Sequence, residues 1–195
     1  MRGKCRILLL KKYFDHLIKI DEKIYFELDK YLIKRSYKKG SFIKKPGEVD
    51  RYARFICTGF VSKQWPSKKG RNYRLRIFSP GQVASDFSSY FNDVPHDFSL
   101  KSITYCSTFE LEKSLESQLL KEVPEIIPLA SLINRRILME SIQWYQIFSM
   151  NREDGIKNLK ENFSQVLNFF SDKDLGFLFK CSEYTIKKLK RNQFG

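Results

Sequence analysis

The chain has 195 residues, with 36 Lys plus Arg against 22 Asp plus Glu and a formal charge of +14. Apolar residues at 42% and aromatics at 15% supply a packed core, which excludes a disordered tail and a collagen-like rod. The positive excess points to a polyanion, nucleic acid first and an anionic membrane surface second, or to a Lys-rich surface kept only for solubility.

At the N-terminus the longest apolar run, Ile7 to Leu10, is too short for a signal-peptide core, and no small-residue cleavage site follows. No stretch approaches the ~18 apolar residues of a membrane span. A cytoplasmic protein with no membrane partner is expected. From Tyr13 to Leu32, Phe14, Leu17, Ile18, Ile24, Phe26, Leu28 and Leu32 recur at helical spacing. They predict two short helices with a core-facing stripe, the second helix capped by Asp21.

From Lys39 to Leu111, Gly40, Gly47, Gly59, Gly70 and Gly81 punctuate short runs. The predicted strands are Ser41–Lys44, Arg54–Cys57, Phe60–Trp65, Tyr73–Phe78, Phe98–Ile103 and Thr108–Glu112. Turns at this spacing indicate a sandwich, roll or barrel rather than a βαβ sheet. Lys68-Lys69-Gly70-Arg71 reads as a charged hairpin tip, open to phosphate or simply solvated.

From Leu115 the helical period returns. Pro124 and Pro128 belong in first turns or at a kink. A long helix then carries Ile126, Ala130, Ile133, Ile137, Trp144 and Phe148 along one side. Such a stripe packs either on a partner helix, as in a dimer seam, or on the β unit of its own chain. Asn151 caps the next helix, which is predicted to end near Phe169 or Phe170.

Cys5, Cys57, Cys106 and Cys181 are scattered with no C-x-x-C pair, and His16 and His96 are isolated. G-x-S-x-G, G-x-x-x-x-G-K-[ST] and H-E-x-x-H do not occur in the sequence. No metal, cofactor or enzymatic activity is expected.

Residues 172–191 follow the grammar of a helix-turn-helix. Ser171 or Asp172 caps the first helix, and Gly176 sits where a larger side chain would hold two helices apart. Leu175, Leu178 and Phe179 supply the first helix's buried side, and Lys180 and Cys181 form the turn. Ser182 caps a second helix with Ile186 and Leu189 inward and Lys187, Lys188, Lys190 and Arg191 outward. An ordinary helical hairpin with a solvated charged face has the same pattern.

A β unit, a long helix and a terminal helix-turn-helix, in that order, resemble the Crp/Fnr family of bacterial transcription regulators. Lys39-Gly40, Pro46-Gly47-Glu48 and Phe55-Ile56-Cys57-Thr58-Gly59-Phe60-Val61 resemble its strand motifs. Ser79-Pro80-Gly81-Gln82-Val83 is similar to its "F-x-P-G-x-F" turn, and Cys181 to Leu189 to its "C-S-R-E-T-V-x-R-x-L" recognition pattern. The resemblance covers approximately residues 13–191. It implies an α+β fold: a double-stranded β-roll sensor with flanking helices over 1–122, a connecting helix over 123–150, and a DNA-binding unit over 151–195.

Departures from that pattern carry their own expectations. The family's "G-E-L/A" and "R-S/T-A" turns, which hold ribose and cyclic phosphate, read Ser85-Asp86-Phe87 and Asp97-Phe98-Ser99 here. Phe98 replaces the arginine fork that would neutralise a phosphate, so cyclic AMP and cyclic GMP are not expected to bind. Any small-molecule effector that meets Ser85, Asp86, Phe98 and Ser99 is of unknown identity. Lys180 replaces the turn glycine and Glu183 an arginine, and a β-wing is expected to be absent or minimal.

The resemblance implies a homodimer reading a palindromic operator in double-stranded DNA. Glu183, Tyr184 and Lys188 would meet base edges, and Ser182, Thr185, Lys187, Lys190 and Arg191 phosphates. The alternative is a ligand- or partner-binding roll whose degenerate helix-turn-helix does not read DNA. Residues 1–120 hold 24 basic and 13 acidic side chains against 12 and 9 in 121–195. One short basic helix, rather than total charge, therefore points to DNA.

Overall fold

A computed structural model describes residues 2–67 and 70–194, with side chains from 7 to 192. Lys68 and Lys69, at the expected hairpin tip, lie outside the described residues, as does the Cys5 side chain. Two helices open the chain, α1 (Arg2–Phe14) and α2 (Glu22–Asp29), and Asp21 caps α2 by accepting from the Lys23 N–H at 2.8 Å. Helix α1 starts well before the expected Tyr13. Phe26 is exposed and Tyr25 buried, because the α2 face that meets α1 is set by Tyr25 and Leu28.

Among the described residues, eight strands follow: β1 (Leu32–Tyr37), β2 (Phe42–Lys44), β3 (Tyr52–Thr58), β4 (Val61–Pro66), β5 (Asn72–Phe78), β6 (Val83–Ala84), β7 (Ser99–Ser102) and β8 (Cys106–Glu112). They form two antiparallel four-stranded sheets, ordered β1-β8-β3-β6 and β2-β7-β4-β5, which is a double-stranded roll. Leu32 belongs to β1 rather than to a helix. The period-two pleat assigns the faces. In β3, Phe55 and Cys57 join the outer core with α1, whereas Ile56 joins the cluster between the sheets with Val61, Phe78, Ala84, Leu100 and Cys106. Gly59 turns β3 into β4 at φ +81°, and a Cβ there would lie 2.1 Å from the Tyr105 carbonyl, so only glycine fits.

A short helix α3 (Phe87–Asn92) interrupts the roll between β6 and β7. After β8 come α4 (Lys113–Glu122), a single 3₁₀ turn (Pro124–Ile126) and the long helix α5 (Ile127–Ser149), so both prolines fall in first turns. The remaining helices are α6 (Arg152–Leu167), α7 (Asp172–Leu178) and α8 (Glu183–Phe194). Asn151 caps α6, accepting from the Asp154 N–H at 3.0 Å.

The predicted stripe on α5 turns toward its own chain. Ile126 and Ile133 pack on the outer core of the roll, and Trp144 and Phe148 enter a second core with Phe163, Phe170 and Phe179. The Trp144 indole N–H donates to the Leu75 carbonyl at 2.8 Å, pinning α5 to β5. The side of α5 that remains bare carries Leu138, Met139, Ile142 and Tyr145 instead, one position away in register.

Candidate functional site

Inside the roll the sequence places charge where a two-period pattern predicts core. Arg54 of β3 pairs in register with Glu110 of β8, and both are buried. The Arg54 guanidinium donates to Asp50 Oδ1 at 2.8 Å. The other Asp50 oxygen accepts from Ser85 Oγ at 3.0 Å and from the Asp86 N–H at 2.7 Å. Asp50 therefore fixes the β6–α3 turn, and Ser85 is spent within it.

Asp86 is fully buried and surrounded by bases. Lys63 Nζ lies 2.8 Å from Oδ1, and Lys44 Nζ and His96 Nδ1 lie 3.6 and 3.2 Å from Oδ2. Lys44 also donates to the carbonyls of His96 and Phe98, at 3.0 and 2.6 Å. Burial pulls the Lys44 ammonium below the usual lysine range, while Asp86 and Asp50 favour its charge. Phe98 stands beneath Lys63 Nζ, 4.2 Å from the ring centroid, and packs on Trp65. Ser99 is buried in β7.

Of the four residues expected to line a ligand pocket, Ser85 and Phe98 border a cavity of about 330 Å³ next to α5. Asp86 lies behind it with its carboxylate already occupied. Lys44, Lys63 and His96 were not singled out from sequence as site residues. Lysines in short strands read as solvent-facing, and only the fold-over of residues 93–98 buries Lys44.

The second site is the pair α7 and α8. Ser171 and Asp174 form a reciprocal capping box at the start of α7. A Cβ on Gly176 would approach the Cys181 carbonyl to 2.8 Å, so the close approach of the connecting turn requires glycine. Lys180 adopts φ +51°, the left-handed conformation glycine takes at little cost. Ser182 caps α8, accepting from the Thr185 N–H at 3.1 Å, and the two hydroxyls lie 2.9 Å apart. Ile186 and Leu189 are buried against Leu175 and Phe179.

The outer face of α8 presents Tyr184, Lys187, Lys188 and Arg191 to solvent, with Tyr184 70% exposed. Glu183 reaches Lys187 at 3.3 Å and Lys173 at 3.9 Å. Lys190 turns back to Asp172 at 2.6 Å. Among the described residues, Lys188 and Arg191 have no carboxylate within ion-pair distance, and Lys187 shares its charge with Glu183.

The helical pair is docked on the roll. Arg74 of β5 donates its backbone N–H to Asp174 Oδ1 at 2.9 Å and its guanidinium to the Phe169 carbonyl at 2.6 Å. Tyr73 stacks on Phe177 with centroids 4.3 Å apart, and Phe60 packs on Phe169. Among the described residues, no helix is long and apolar enough to cross a membrane.

No protein-family model matches the chain, and no curated protein sequence does. Solved structures do resemble it. The c-di-GMP-responsive global regulator CLP of Xanthomonas campestris superposes with a TM-score of 0.67 at 15% identity, covering 89% of this chain and 91% of that one. A cyclic nucleotide-binding domain from Methylobacillus flagellatus gives 0.64 at 13% identity over 74% and 83% of the two chains. The sensor domain of the transcriptional regulator DNR from Pseudomonas aeruginosa gives 0.56 at 13% identity over 72% and 91%. At these identities the likeness establishes a cyclic-nucleotide-binding-like fold.

Proposed function

We propose that the chain is a homodimeric, cytoplasmic transcription regulator rather than an enzyme. Residues 1–122 form its sensor, 123–150 its connecting helix and 151–195 its DNA-reading unit. The observation that carries this reading is α8. It is capped by Ser182, fixed from behind by buried Ile186 and Leu189, and lined outside by Tyr184, Lys187, Lys188 and Arg191. A helix so held, with a basic and aromatic outer face, suits the major groove of a double-stranded palindromic operator. The likeness to regulators such as CLP and the DNR sensor supports the assignment.

Glu183, Tyr184 and Lys188 meet base edges in this account. Ser182, Thr185, Lys187 and Arg191 hold phosphates, and Lys190, tied to Asp172, joins them only after release. Leu138, Ile142 and Tyr145, at steps of four and three on the bare side of α5, form the seam with a second copy. The sensor's effector meets the cavity beside Ser85 and Phe98, with Asp86 and Ser99 behind it, and it is not a cyclic nucleotide. Asp86 already occupies the local cations. Calorimetry with cyclic AMP and cyclic GMP is expected to show no micromolar binding; micromolar binding of either overturns that exclusion.

Fluorescence anisotropy with a mixed-sequence duplex over a salt series tests the phosphate contacts. Arg191→Ala is expected to reduce the slope of log K against log salt by about one, the loss of one phosphate contact. An unchanged slope removes Arg191 from the interface. One observation favours a second reading, a partner- or ligand-binding roll whose helical pair does not read DNA. Glu183 places a carboxylate on the outer face and draws Lys187 to itself.

A further inference from the structure

The cavity of about 330 Å³ lies where β5, α3, α5 and α7 meet, and its wall is mostly apolar and rich in aromatic rings. Phe78, Phe98, Trp144, Phe148 and Leu178 supply the apolar surface, with the largely exposed Tyr145 at its rim. Two cations line it, Lys63 and Arg76, and each has a carboxylate partner. Lys63 is 2.8 Å from Asp86, and Arg76 donates to Ser141 Oγ at 2.8 Å and lies 3.4 Å from Glu140.

The cations of this cavity are already engaged, Lys63 by the fully buried Asp86 that Lys44 and His96 also hold and Arg76 by Glu140, so an anion competes with both carboxylates. A cation meets two like charges. Neither sign is welcome, whereas the faces of flat rings match the lining.

We infer that this cavity binds an uncharged aromatic effector of two or three rings. The proposal deepens the sensor reading above, and rests on it only for the step from effector to DNA. Trp144 and Phe148 belong to the connecting helix and Leu178 to α7, so an occupant touches both elements that lead to α8. Of the wall serines, Ser85 donates to Asp50 and Ser141 to the Ile137 carbonyl, which leaves Ser88 for a polar edge on the ring system without requiring charge.

The test uses the full chain without DNA, so its failure is separate from failure of the regulator reading. N-phenyl-1-naphthylamine is an uncharged fluorophore, and 8-anilinonaphthalene-1-sulfonate is the same ring system with one sulfonate. Fluorescence titration is expected to show one saturable site per chain for the neutral probe, with the sulfonate weaker by about tenfold or more. Ser88→Phe, at an exposed rim position, is expected to weaken the neutral probe by about tenfold or more with circular dichroism unchanged. Asp86→Asn frees Lys44 and Lys63 and is expected to narrow the gap between the probes.

The proposal is overturned if the neutral probe shows no saturable binding, or if the sulfonate binds the native chain as tightly. It is equally overturned if Ser88→Phe leaves the neutral probe's binding unchanged. That result would move the probe elsewhere, for example to the apolar crevice among α1, β3, β8 and α5. Should Asp86→Asn not fold, the native chain and Ser88→Phe decide between these outcomes.

Discussion

Asp86 concentrates most of the chemistry of the roll in one carboxylate. Two ammonium groups and an imidazole lie around it, and the Lys44 side chain is only 2% exposed. Removing one member of a buried cluster leaves the others charged and unpaired. Asp86→Ala is therefore expected to cost about 3–5 kcal/mol in urea denaturation, because it removes the carboxylate beside buried Lys44 and leaves that ammonium only the His96 and Phe98 carbonyls. A loss below about 1 kcal/mol would mean that water reaches and compensates these cations. Tyr37 makes a second residue-scale prediction. Its hydroxyl donates to Glu110 Oε1 at 2.7 Å, and burial followed by that carboxylate pushes its pKa up to about 12. The native state favours the protonated phenol, while the unfolded phenol ionises near 10. Its contribution is whole below that pH and is lost as pH rises toward about 12. Tyr37→Phe should flatten the alkaline fall in stability relative to the native chain, and an equally steep fall would contradict the assignment. The family resemblance marked Asp86 and Phe98 but not Lys44, Lys63, His96 or Asp50. Their meeting depends on loop closure across the roll, which no local pattern records.

At the scale of elements, α7 and α8 were legible because the signals that mark the pair are local. The caps, the glycine, the buried pair and the outward cations all lie within about twenty residues. Gly176→Ala forces a Cβ against the Cys181 carbonyl, a backbone atom that cannot swing aside. A loss of about 1–3 kcal/mol is expected in thermal or urea unfolding, with weaker DNA binding from the displaced α8. Lys180→Gly relieves the left-handed strain and should raise stability by about 1 kcal/mol. A drop would show that the Lys180 side chain contributes more than its backbone costs. Strand β1 was not legible in the same way. Leu32-Ile33-Lys34-Arg35-Ser36-Tyr37 lacks clean alternation, and its extended form is fixed by pairing with β8, about seventy residues away. The six-residue α3 is likewise too short to show a helical period inside a β region. The long helix taught a finer lesson. Its apolar stripe was visible, but the face meeting the roll and the bare face differ by one residue. Only the position of β5 beneath Trp144 distinguishes them.

The whole molecule joins the roll and the helical pair through shared side chains rather than through a free linker. Ile77 of β5 belongs to the same core as Trp144, Ile156, Leu175 and Ile186. Arg74 and Tyr73 clamp α7 from the roll side. An occupant of the aromatic cavity would therefore act on α8 through packed contacts. Assembly is tested at the same scale. Leu138 and Tyr145 are 59% and 73% exposed on one side of α5, which covers them only if a second copy docks. Replacing both with Asp is expected to convert a dimer to a monomer in sedimentation without loss of helix content. A native chain that sediments as a monomer at high micromolar concentration would remove the seam. The central claim, a dimer that reads a two-fold operator through α8, is tested most directly by selecting binders from random duplex DNA. The expected result is a consensus of two inverted half-sites about one helical turn apart. Salt-sensitive binding with no recoverable consensus would contradict it.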